Sequence, residues 1–306
     1  MNVFVVNTPF QHYVVRKIVE QYFSSADNMI ISTISGNSGH QEANTVTISH
    51  GVRGLPIARK VLRRVRRNVH STCFYIPHLG NLFSSVFYKW AKRYHRPISV
   101  YYEGVALFYD PVIPNHREKR KRLLQGLLLG VCYKHYEQLY PDELLNDTVC
   151  CYSPVLSPLL DKYKSVRKID FLKKDMSMAN SNILLLTSDE ANDDEINSCV
   201  SDVKGYVNGS DQIIYIKPHY ALSPDKVNLY VEKLREIGDI QVNLLDKHIP
   251  IEELFDEISF KHVICQRFTS SIINMSFIFG NNIICRVTEK ESVPMEMINE
   301  LGIEIC

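Results

Sequence analysis

The chain opens with the apolar run Asn2-Val3-Phe4-Val5-Val6, and a helical pattern follows over residues 11–23. An apolar run of this length, without polar alternation, is typical of a strand buried on both faces of a parallel sheet. The same strand-then-helix order restarts at Ile183-Leu184-Leu185-Leu186. Because parallel strands need a crossover helix between them, the two starts predict two βαβ sheets in tandem.

Strand and helix patterns alternate on both sides of the restart. Strands are predicted at 3–7, 29–33, 72–76, 98–103, 149–152, 183–186, 212–216, 240–243, 262–265 and 282–285. Helices are predicted at 11–23, 56–69, 82–95, 117–138, 193–207, 224–237, 251–257 and 270–279. We therefore expect an α/β protein with two doubly wound, Rossmann-like domains that face a central cleft, the place where such sheets bind ligands.

A polar stretch rich in lysine separates the two alternating halves and predicts a linker at about 166–182. The N-terminal domain then covers 1–165 and the C-terminal domain covers 183–306. We expect the C-terminal tail to be the part of the second domain that can pack back onto the first.

The net charge of +1 hides an asymmetry, because residues 1–170 carry a net charge of +11 and residues 171–306 carry −10. The basic residues cluster at 59–67, 89–96 and 117–122. One interpretation is a cationic face that attracts anionic lipid headgroups or an anionic acceptor. Solvated helix faces and attraction between the two halves explain the charges equally well. A nucleic-acid partner is not expected, since no recognised binding module accompanies the charge.

The eight cysteines lie at positions 73, 132, 150, 151, 199, 265, 285 and 306, without the paired spacing of metal ligands. Free thiols in a reducing cytoplasm are the simplest interpretation. The chain starts without a basic segment and cleavage site typical of a secretory signal. We expect a cytoplasmic protein. The helix predicted at 56–69 mixes apolar residues with six Arg and Lys, which makes it a candidate for peripheral contact with an anionic membrane.

Three short motifs follow predicted strands, and the first is Tyr101-Tyr102-Glu103-Gly104. A carboxylate at the end of a buried strand lies at the edge where ligands bind, and the glycine permits a tight turn. Glu103 is therefore a candidate general base towards an acceptor hydroxyl. An ordinary turn carboxylate is the alternative interpretation.

The second motif is Lys217-Pro218-His219-Tyr220. Pro218 fixes its own backbone and pushes Lys217 towards an extended conformation, so the end of the strand is well defined. A lysine and a histidine at this point are suited to binding or protonating the phosphate of a departing nucleotide. The alternative is a histidine that only shapes the end of the strand.

The third motif is Thr269-Ser270-Ser271, which stands between a strand and an apolar helix. Exposed amides and the helix dipole make such a helix start a seat for phosphate. Simple capping of the helix is the alternative. Glu252 lies in the first turn of another helix, where the dipole explains it, although it is also a candidate for holding ribose hydroxyls.

Together, these motifs resemble those of bacterial sialyltransferases with the GT-B fold, the group of lipooligosaccharide sialyltransferases and capsule polysialyltransferases. That group has an acid-acid-Gly motif in the first domain, and His-Pro and Ser/Thr-Ser motifs in the second. The first acidic position is Tyr102 in this chain, and Tyr220 follows His219. Asn7-Thr8-Pro9-Phe10-Gln11 is similar to the opening of that family, which implies that Thr8, Gln11, Tyr102 and Gly104 lie on the acceptor side.

The resemblance implies an inverting transfer of sialic acid, or of a related nonulosonic acid, from a CMP-activated donor to an oligosaccharide or lipid-linked glycan. Glu103 would be the base, and His219 would donate a proton or a hydrogen bond to the CMP phosphate. The donor side would comprise Lys217, Pro218, Glu252 and the hydroxyl residues Thr269, Ser270 and Ser271. The pathway implied is synthesis of surface polysaccharide, such as lipopolysaccharide O-antigen, lipooligosaccharide or capsule, at the inner face of the bacterial inner membrane.

No cofactor and no metal are expected, since the sequence contains neither Asp-x-Asp nor a cluster with the spacing of metal ligands. Three alternatives remain open. A transferase of the same fold would use another donor, such as a Kdo, UDP- or GDP-sugar. A non-catalytic protein would bind ligands on a degenerate GT-B fold, and a nucleic-acid-binding protein would use the basic helix.

Overall fold

The protein was analysed as a computed structural model. The structure describes residues 1–34, 44–49, 52–108, 116–154, 156, 160–171, 182–189, 191–208, 212–219, 221–255, 258, 260–265, 269–279, 284–287 and 304–305. The chain divides into two compact units, Met1–Asp170 and Phe171–Cys306. Most of the linker predicted at 166–182, and the part of the tail at 288–303, lie outside the described residues.

The first unit is built on a seven-stranded sheet with the order β3-β2-β1-β4-β5-β6-β7, in which every neighbouring pair is parallel. Its strands are β1 (Asn2–Val6), β2 (Asn28–Ser32), β3 (Thr45–Thr47), β4 (Cys73–Ile76), β5 (Ile98–Tyr101), β6 (Thr148–Ser153) and β7 (Val166–Lys168). Its helices are α1 (Pro9–Tyr22), α2 (Leu55–Arg67), α3 (Leu82–Tyr94), α4 (His116–Leu129) and α5 (Asp142–Asp147). The central strands are buried almost completely, as their apolar runs predict.

The second unit has a six-stranded sheet with the order β10-β9-β8-β11-β12-β13, again with parallel neighbours. Its strands are β8 (Ile183–Leu186), β9 (Ile213–Lys217), β10 (Gln241–Leu244), β11 (His262–Cys265), β12 (Ile284–Val287) and β13 (Glu304–Ile305). Its helices are α6 (Asp193–Tyr206), α7 (Pro224–Arg235), α8 (Ile251–Leu254) and α9 (Ser270–Phe279).

Each sheet reverses the direction of its strand order once. In the first unit the order runs outward from β1 to β3 on one side and from β4 to β7 on the other. In the second unit the reversal lies between β8 and β11. Because the carboxyl ends of parallel strands share one edge, the loops that follow these strands diverge at the reversal and leave a crevice suited to a ligand.

The pattern-based prediction of strands and helices differs from the structure at short elements and at one helix end. Strands β3, β7 and β13 and helix α5 were not predicted, because they are only two to six residues long and most are polar. The helix predicted over 117–138 stops at Leu129. Gly130 adopts a left-handed backbone with φ of 68°, and the amide of Val131 donates to the carbonyl of Gly126, which ends the helix.

The boundary between the units also differs in detail from the predicted linker. Residues 166–168, where we expected the linker to begin, form strand β7 at the edge of the first sheet. The described tail residues 304–305 pair with Arg286 and Val287 in the second sheet, and the expectation that the tail can pack back onto the first domain stays a prediction. A two-residue parallel strand leaves no periodic pattern in a sequence, which explains why this pairing was not expected.

Two further properties concern the whole described chain. Among the described residues, no helix has the length and apolar character needed to cross a bilayer. The six cysteines at positions 73, 132, 150, 151, 199 and 265 carry free thiols.

The fold predicts a stabilising role for the hydroxyl group of Tyr101. This side chain is fully buried and donates a hydrogen bond to the carbonyl of Val5 in strand β1. Tyr101→Phe leaves that carbonyl without the bond, so we expect the free energy of unfolding of the first unit to fall by about 1–2 kcal/mol. The single tryptophan, Trp90, lies in the first unit, so urea denaturation followed by its fluorescence measures this unit.

The matched control is Tyr94→Phe, which removes a hydroxyl from a partly exposed tyrosine of the same unit. We expect this control to leave the Trp90 transition in place. Equal midpoints for Tyr101→Phe and the unchanged protein would contradict the role of the Tyr101 hydroxyl.

Candidate functional site

Glu103 is the centre of a polar cluster at the carboxyl edge of the first sheet. It follows strand β5, and its side chain is 18% exposed. Its Oε1 atom accepts hydrogen bonds from Nε2 of Gln11 at 3.2 Å and Nε2 of His78 at 3.1 Å. Its Oε2 atom accepts from the hydroxyl of Tyr140 at 3.1 Å. A carboxylate offers roughly four lone-pair positions, so one position on Oε2 remains for a further donor.

His78 holds the carboxylate through one defined tautomer. The amide of Gly80 donates to Nδ1 of His78 at 2.7 Å, so the ring proton lies on Nε2, which faces Glu103. Both ring nitrogens are therefore occupied. His78 is placed to orient Glu103, and only Glu103 keeps a lone pair for an incoming hydroxyl.

Gly80 is required by the close packing around His78. A Cβ atom at this position would lie 2.7 Å from the His78 ring and 2.6 Å from Cδ2 of Leu139. The amide of Leu79 also donates to the carbonyl of Leu139 at 3.0 Å, which joins the loop after β4 to the segment that carries Tyr140. The loop geometry thus brings His78 and Tyr140 to the same carboxylate.

Gln11 and Tyr140 are almost completely buried, at 1% and 2% exposure. The Oε1 atom of Gln11 accepts from the backbone amide of Asn7 at 2.7 Å, which orients the Gln11 amide group so that its nitrogen faces Glu103. Burial, followed by the nearby charge of Glu103, raises the pKa of Tyr140. Tyr140 therefore keeps its proton and remains a donor.

The other residues predicted on the acceptor side have different positions. Thr8 caps helix α1, and its hydroxyl oxygen accepts from the amide of Gln11 at 3.1 Å. Gly104 adopts a φ of 104°, which favours glycine and turns the chain directly after Glu103. Tyr102 is fully buried, and its ring packs edge-on against Phe10. Tyr102 therefore presents no surface in this structure, and its expected place on the acceptor side stays a prediction.

In the second unit, Lys217 and His219 lie at the carboxyl end of β9, beside Thr187 at the end of β8. The hydroxyl oxygen of Thr187 accepts from the amide of His219 at 2.9 Å, and the amide of Thr187 donates to the carbonyl of Lys217 at 3.3 Å. Pro218 is buried between the two motif residues. These bonds fix the backbone that carries both side chains.

Lys217 is an ammonium group with reduced basicity. Burial lowers its pKa to about 8, against the opposing charges of Glu252 and Asp246. It is therefore mostly charged at neutral pH, but it is poorly solvated. An anion that replaces the missing water is bound more strongly by such a group than by an exposed lysine.

His219 is placed as a neutral hydrogen-bond donor. The amide of Ala221 donates to its Nδ1 atom at 3.3 Å, so the ring proton lies on Nε2. Burial lowers the pKa of His219, Asp189 raises it, and Lys217 lowers it further. The balance is a lowered pKa, which favours a hydrogen bond to a phosphate oxygen over transfer of a proton.

Glu252, the candidate for holding ribose hydroxyls, lies close enough to Lys217 for the two charges to interact. It is 7% exposed, and its carboxylate accepts from Nδ2 of Asn274 at 2.6 Å, which links helix α8 to helix α9. Burial raises the pKa of Glu252. An acid in the first turn of a helix normally faces solvent, but the single turn of α8 packs against α9 and turns this side chain inward.

The hydroxyl motif lies at the start of α9. Thr269 precedes the helix, and Ser270 and Ser271 form its first turn, all partly buried. The hydroxyl oxygen of Thr269 is buried and has no hydrogen-bond partner among the described residues. Residues 266–268, which begin the predicted motif, lie outside the described residues.

Within the described part of the chain, no group of three or more His, Cys, Asp or Glu residues lies close enough to hold a metal ion. The expectation of a metal-independent protein stays a prediction.

Sequence reasoning missed His78, Tyr140 and Thr187, although one signal was available for His78. Pro77-His78 follows β4 in the same way as Pro218-His219 follows β9. In both places Nδ1 of the histidine accepts from the backbone amide two residues further along. The repeated Pro-His pair after a buried strand was visible in the sequence, whereas Tyr140 lies in an irregular segment without a pattern.

The two doubly wound units, with polar clusters at the carboxyl edge of each sheet, define the GT-B fold predicted from the sequence. Comparison of the sequence with known protein families and with curated proteins gave no match. Solved structures match over nearly the whole chain.

Three of the similar structures illustrate this likeness. The first is MnaA of Staphylococcus aureus with UDP, at 12% identity and a TM-score of 0.54, over 94% of this chain and 79% of that one. The second is a glycosyltransferase from Rickettsia africae, at 13% identity and a TM-score of 0.51, over 94% and 79%. The third is HepE of Anabaena with UDP, at 12% identity and a TM-score of 0.51, over 97% and 82%. At this level of identity the likeness confirms the fold.

The lowered pKa of Lys217 predicts that anion binding by the second unit depends on pH. As the pH rises through about 8, Lys217 loses its proton, so the dissociation constant of UDP or CMP should rise by up to tenfold per pH unit. Lys217→Arg stays charged and should give a flat profile. Isothermal titration calorimetry between pH 7 and pH 9 measures the dissociation constant of each nucleotide as a function of pH.

The matched control is Lys226→Arg, which changes a lysine paired with Asp193 on the surface of the same unit. This control should keep the pH dependence of the unchanged protein. A flat profile in the unchanged protein would contradict the role assigned to the Lys217 ammonium.

Proposed function

We propose that the protein is a glycosyltransferase that uses a nucleotide-activated sugar. The carboxylate of Glu103 carries this proposal, because three donors hold it in one orientation and leave one lone-pair position on Oε2. A held carboxylate at the edge of a doubly wound sheet is suited to removing the proton from an acceptor hydroxyl.

The first unit would bind the acceptor. Gln11, His78 and Tyr140 each donate to Glu103, so their role is to aim its oxygen atoms. The hydroxyl of the acceptor would approach Oε2, pass its proton to Glu103 and attack the anomeric carbon of the donor. Positioned acid–base groups of this kind typically contribute about 10²–10⁴-fold to a rate.

The second unit would bind the donor. The ammonium of Lys217 and the Nε2–H group of His219 would neutralise the phosphate that leaves with the nucleotide. The start of α9, with Thr269, Ser270 and Ser271, would add hydroxyl and amide donors. Inversion at the anomeric carbon and independence from metals belong to this proposal.

Two classes of donor have specific support. The solved structures of S. aureus MnaA and Anabaena HepE contain UDP, which favours a UDP-sugar. The order of the Glu103, His219 and Ser271 motifs resembles the bacterial sialyltransferases, which favours a CMP-activated sugar acid. The support for a UDP-sugar comes from the fold. The support for a CMP-activated sugar acid comes from the side chains at the carboxyl edges of the two sheets. The proposed acceptor in either case is a glycan of a surface polysaccharide, and we propose that the protein acts at the cytoplasmic side of a bacterial membrane.

A transfer assay with the purified full chain and a panel of nucleotide sugars identifies the donor. EDTA is present throughout, so that any transfer observed is independent of divalent metal ions. CMP-sialic acid, CMP-Kdo, UDP-sugars and GDP-sugars are each mixed with a set of galactosides and sialosides, and products are read by mass spectrometry. A mass increase by one sugar supports the proposal and identifies the donor class. Binding of a nucleotide without hydrolysis or transfer of any donor would favour a non-catalytic protein.

Glu103→Gln tests the base. The substitution keeps the size of the side chain but removes its basicity, so transfer should fall by about 10²–10⁴-fold while the affinity for the nucleotide stays unchanged. Glu143→Gln is the matched control, since it removes a carboxylate that is 53% exposed in the same unit. Transfer by Glu103→Gln at the rate of the control would show that another group is the base.

His78 is a positioning residue, and its variants test how Glu103 is held. His78→Ala removes one of three hydrogen bonds and should lower kcat by about tenfold with little change in donor KM. His78→Gln supplies an amide donor again and should restore part of the loss. Gly80→Ala should resemble His78→Ala, because its Cβ atom would lie 2.7 Å from the imidazole.

The control for the histidine variants is His70→Ala, which removes an exposed imidazole that packs edge-on against Tyr94. Thermal unfolding of each variant separates lost activity from lost stability. Equal kcat in His78→Ala and the unchanged protein would contradict the positioning role.

A further inference from the structure

Helix α4 exposes a group of leucines that the two sites do not use. Leu124 is 58% exposed and Leu127 is 77% exposed. Leu123 and Leu128, at 41% and 44%, flank them, and the spacing places all four on neighbouring positions of the helix surface. A contiguous apolar patch of this kind marks a contact with another molecule or with a lipid surface.

Helix α2 lies beside this patch and contributes positive charge. The sequence suggested that α2 would use its own apolar face at a membrane, but Val61, Leu62 and Val65 are between 0% and 5% exposed. That face packs against the core of the first unit. Apart from Ile57, which is 41% exposed, the surface of α2 is mainly basic, so most of the apolar part of a membrane contact must come from α4.

The two helices border an open groove with a volume of about 360 Å³. Arginines 59, 63 and 66 line one side, residues 127–131 line the other, and Trp90 also contributes to the wall. The guanidinium of Arg59 donates to the carbonyl of Leu128 at 2.6 Å and 3.1 Å, which fixes the end of α4 against α2. Basic and apolar side chains therefore share one surface, called here the α2–α4 surface.

No negative charge offsets these arginines along the chain. Residues 43–102 contain eleven Lys and Arg residues and no Asp or Glu. Arg63 and Arg66 are exposed, and neither forms an ion pair with a carboxylate among the described residues. The surface is thus complementary to an anionic partner that also offers an apolar phase.

We propose that the α2–α4 surface docks onto a bilayer of anionic phospholipids. The leucines of α4 would enter the boundary between headgroups and acyl chains, and the arginines of α2 would contact the phosphates. Trp90 would lie at the same boundary, where tryptophan is enriched. A nucleic acid would satisfy the arginines but not the leucines, since its outer surface is a phosphate backbone.

Vesicle binding tests this proposal on the full chain, independently of any transferase activity. The protein should sediment with vesicles of equal parts phosphatidylglycerol and phosphatidylcholine at low ionic strength, and not with phosphatidylcholine alone. Arg63→Gln/Arg66→Gln should weaken binding by about 25-fold, at about fivefold for each charge. Leu124→Ser/Leu127→Ser should weaken it by about tenfold or more.

Matched controls come from the second unit. Lys204→Gln/Arg235→Gln removes two exposed charges, and Leu244→Ser changes a leucine that is 54% exposed. Both should bind vesicles like the unchanged protein. Circular dichroism should show that all variants are folded.

Trp90 gives a second measurement, because it is the single tryptophan of the chain. Anionic vesicles with brominated acyl chains should quench its fluorescence, and the leucine double variant should lose this quenching. Absence of binding to anionic vesicles overturns the proposal. It is also overturned if the leucine double variant binds and is quenched like the unchanged protein, since the arginines would then form a general polyanion site.

Discussion

The carboxylate of Glu103 depends on donors that come from three separate segments of the first unit, one of them the first turn of α1. Gln11 follows β1, His78 follows β4, and Tyr140 precedes α5. These groups are buried or nearly so, and each unpaired polar group in such a place costs about 1–3 kcal/mol. Removing Glu103 would leave all three donors without this acceptor, whereas removing one donor would leave the carboxylate with two. The reversal of strand order between β1 and β4 brings the ends of these strands to the edge of the sheet where Glu103 lies.

The second unit has the same Pro-His geometry after a buried strand, but the charged group beside its histidine is a lysine and not a carboxylate. In both units a Pro-His pair ends a buried strand, and Nδ1 accepts a backbone amide two residues on, which leaves Nε2–H as a donor. In the first unit that donor meets a carboxylate. In the second, His219 lies beside the partly desolvated Lys217, whose charge lowers the pKa of the histidine further. The same local geometry thus presents an Nε2–H group to the carboxylate of Glu103 in one unit and places an Nε2–H group beside the Lys217 ammonium in the other.

The apolar runs predicted the ten longer strands to within about two residues, because burial on both faces imposes a composition that no other element shares. The edge strand Val166–Lys168 was not predicted. It pairs with a single neighbouring strand and is partly exposed, so its residues need not be apolar. The end of α4 was marked by Gly130, a signal that the helical periodicity of the following residues obscured.

The candidate site was predictable in part. The residue types at strand ends indicated Glu103, Lys217 and His219. Tyr102, directly after β5, is buried against Phe10 and Phe108, tertiary contacts that the motif alone does not show. Glu252 turned inward because α8 is a single turn packed on α9, a tertiary contact without a local signal. Tyr140 comes from a segment without periodicity, so only the folded chain reveals its bond to Glu103.

The fold and the side chains give different information about which nucleotide-activated sugar the protein would use. A GT-B fold offers a nucleotide site at the edge of its second sheet, but the identity of the nucleotide is set by the groups that line this edge. A departing UDP carries two phosphates and a departing CMP carries one, so the two donors make unequal demands for positive charge. The described cation at this seat is Lys217, with a pKa of about 8, in a half of the chain whose net charge is −10. The UDP in similar structures is a property of those proteins, so the class of donor for this chain depends on the side chains at this edge and stays part of the proposal.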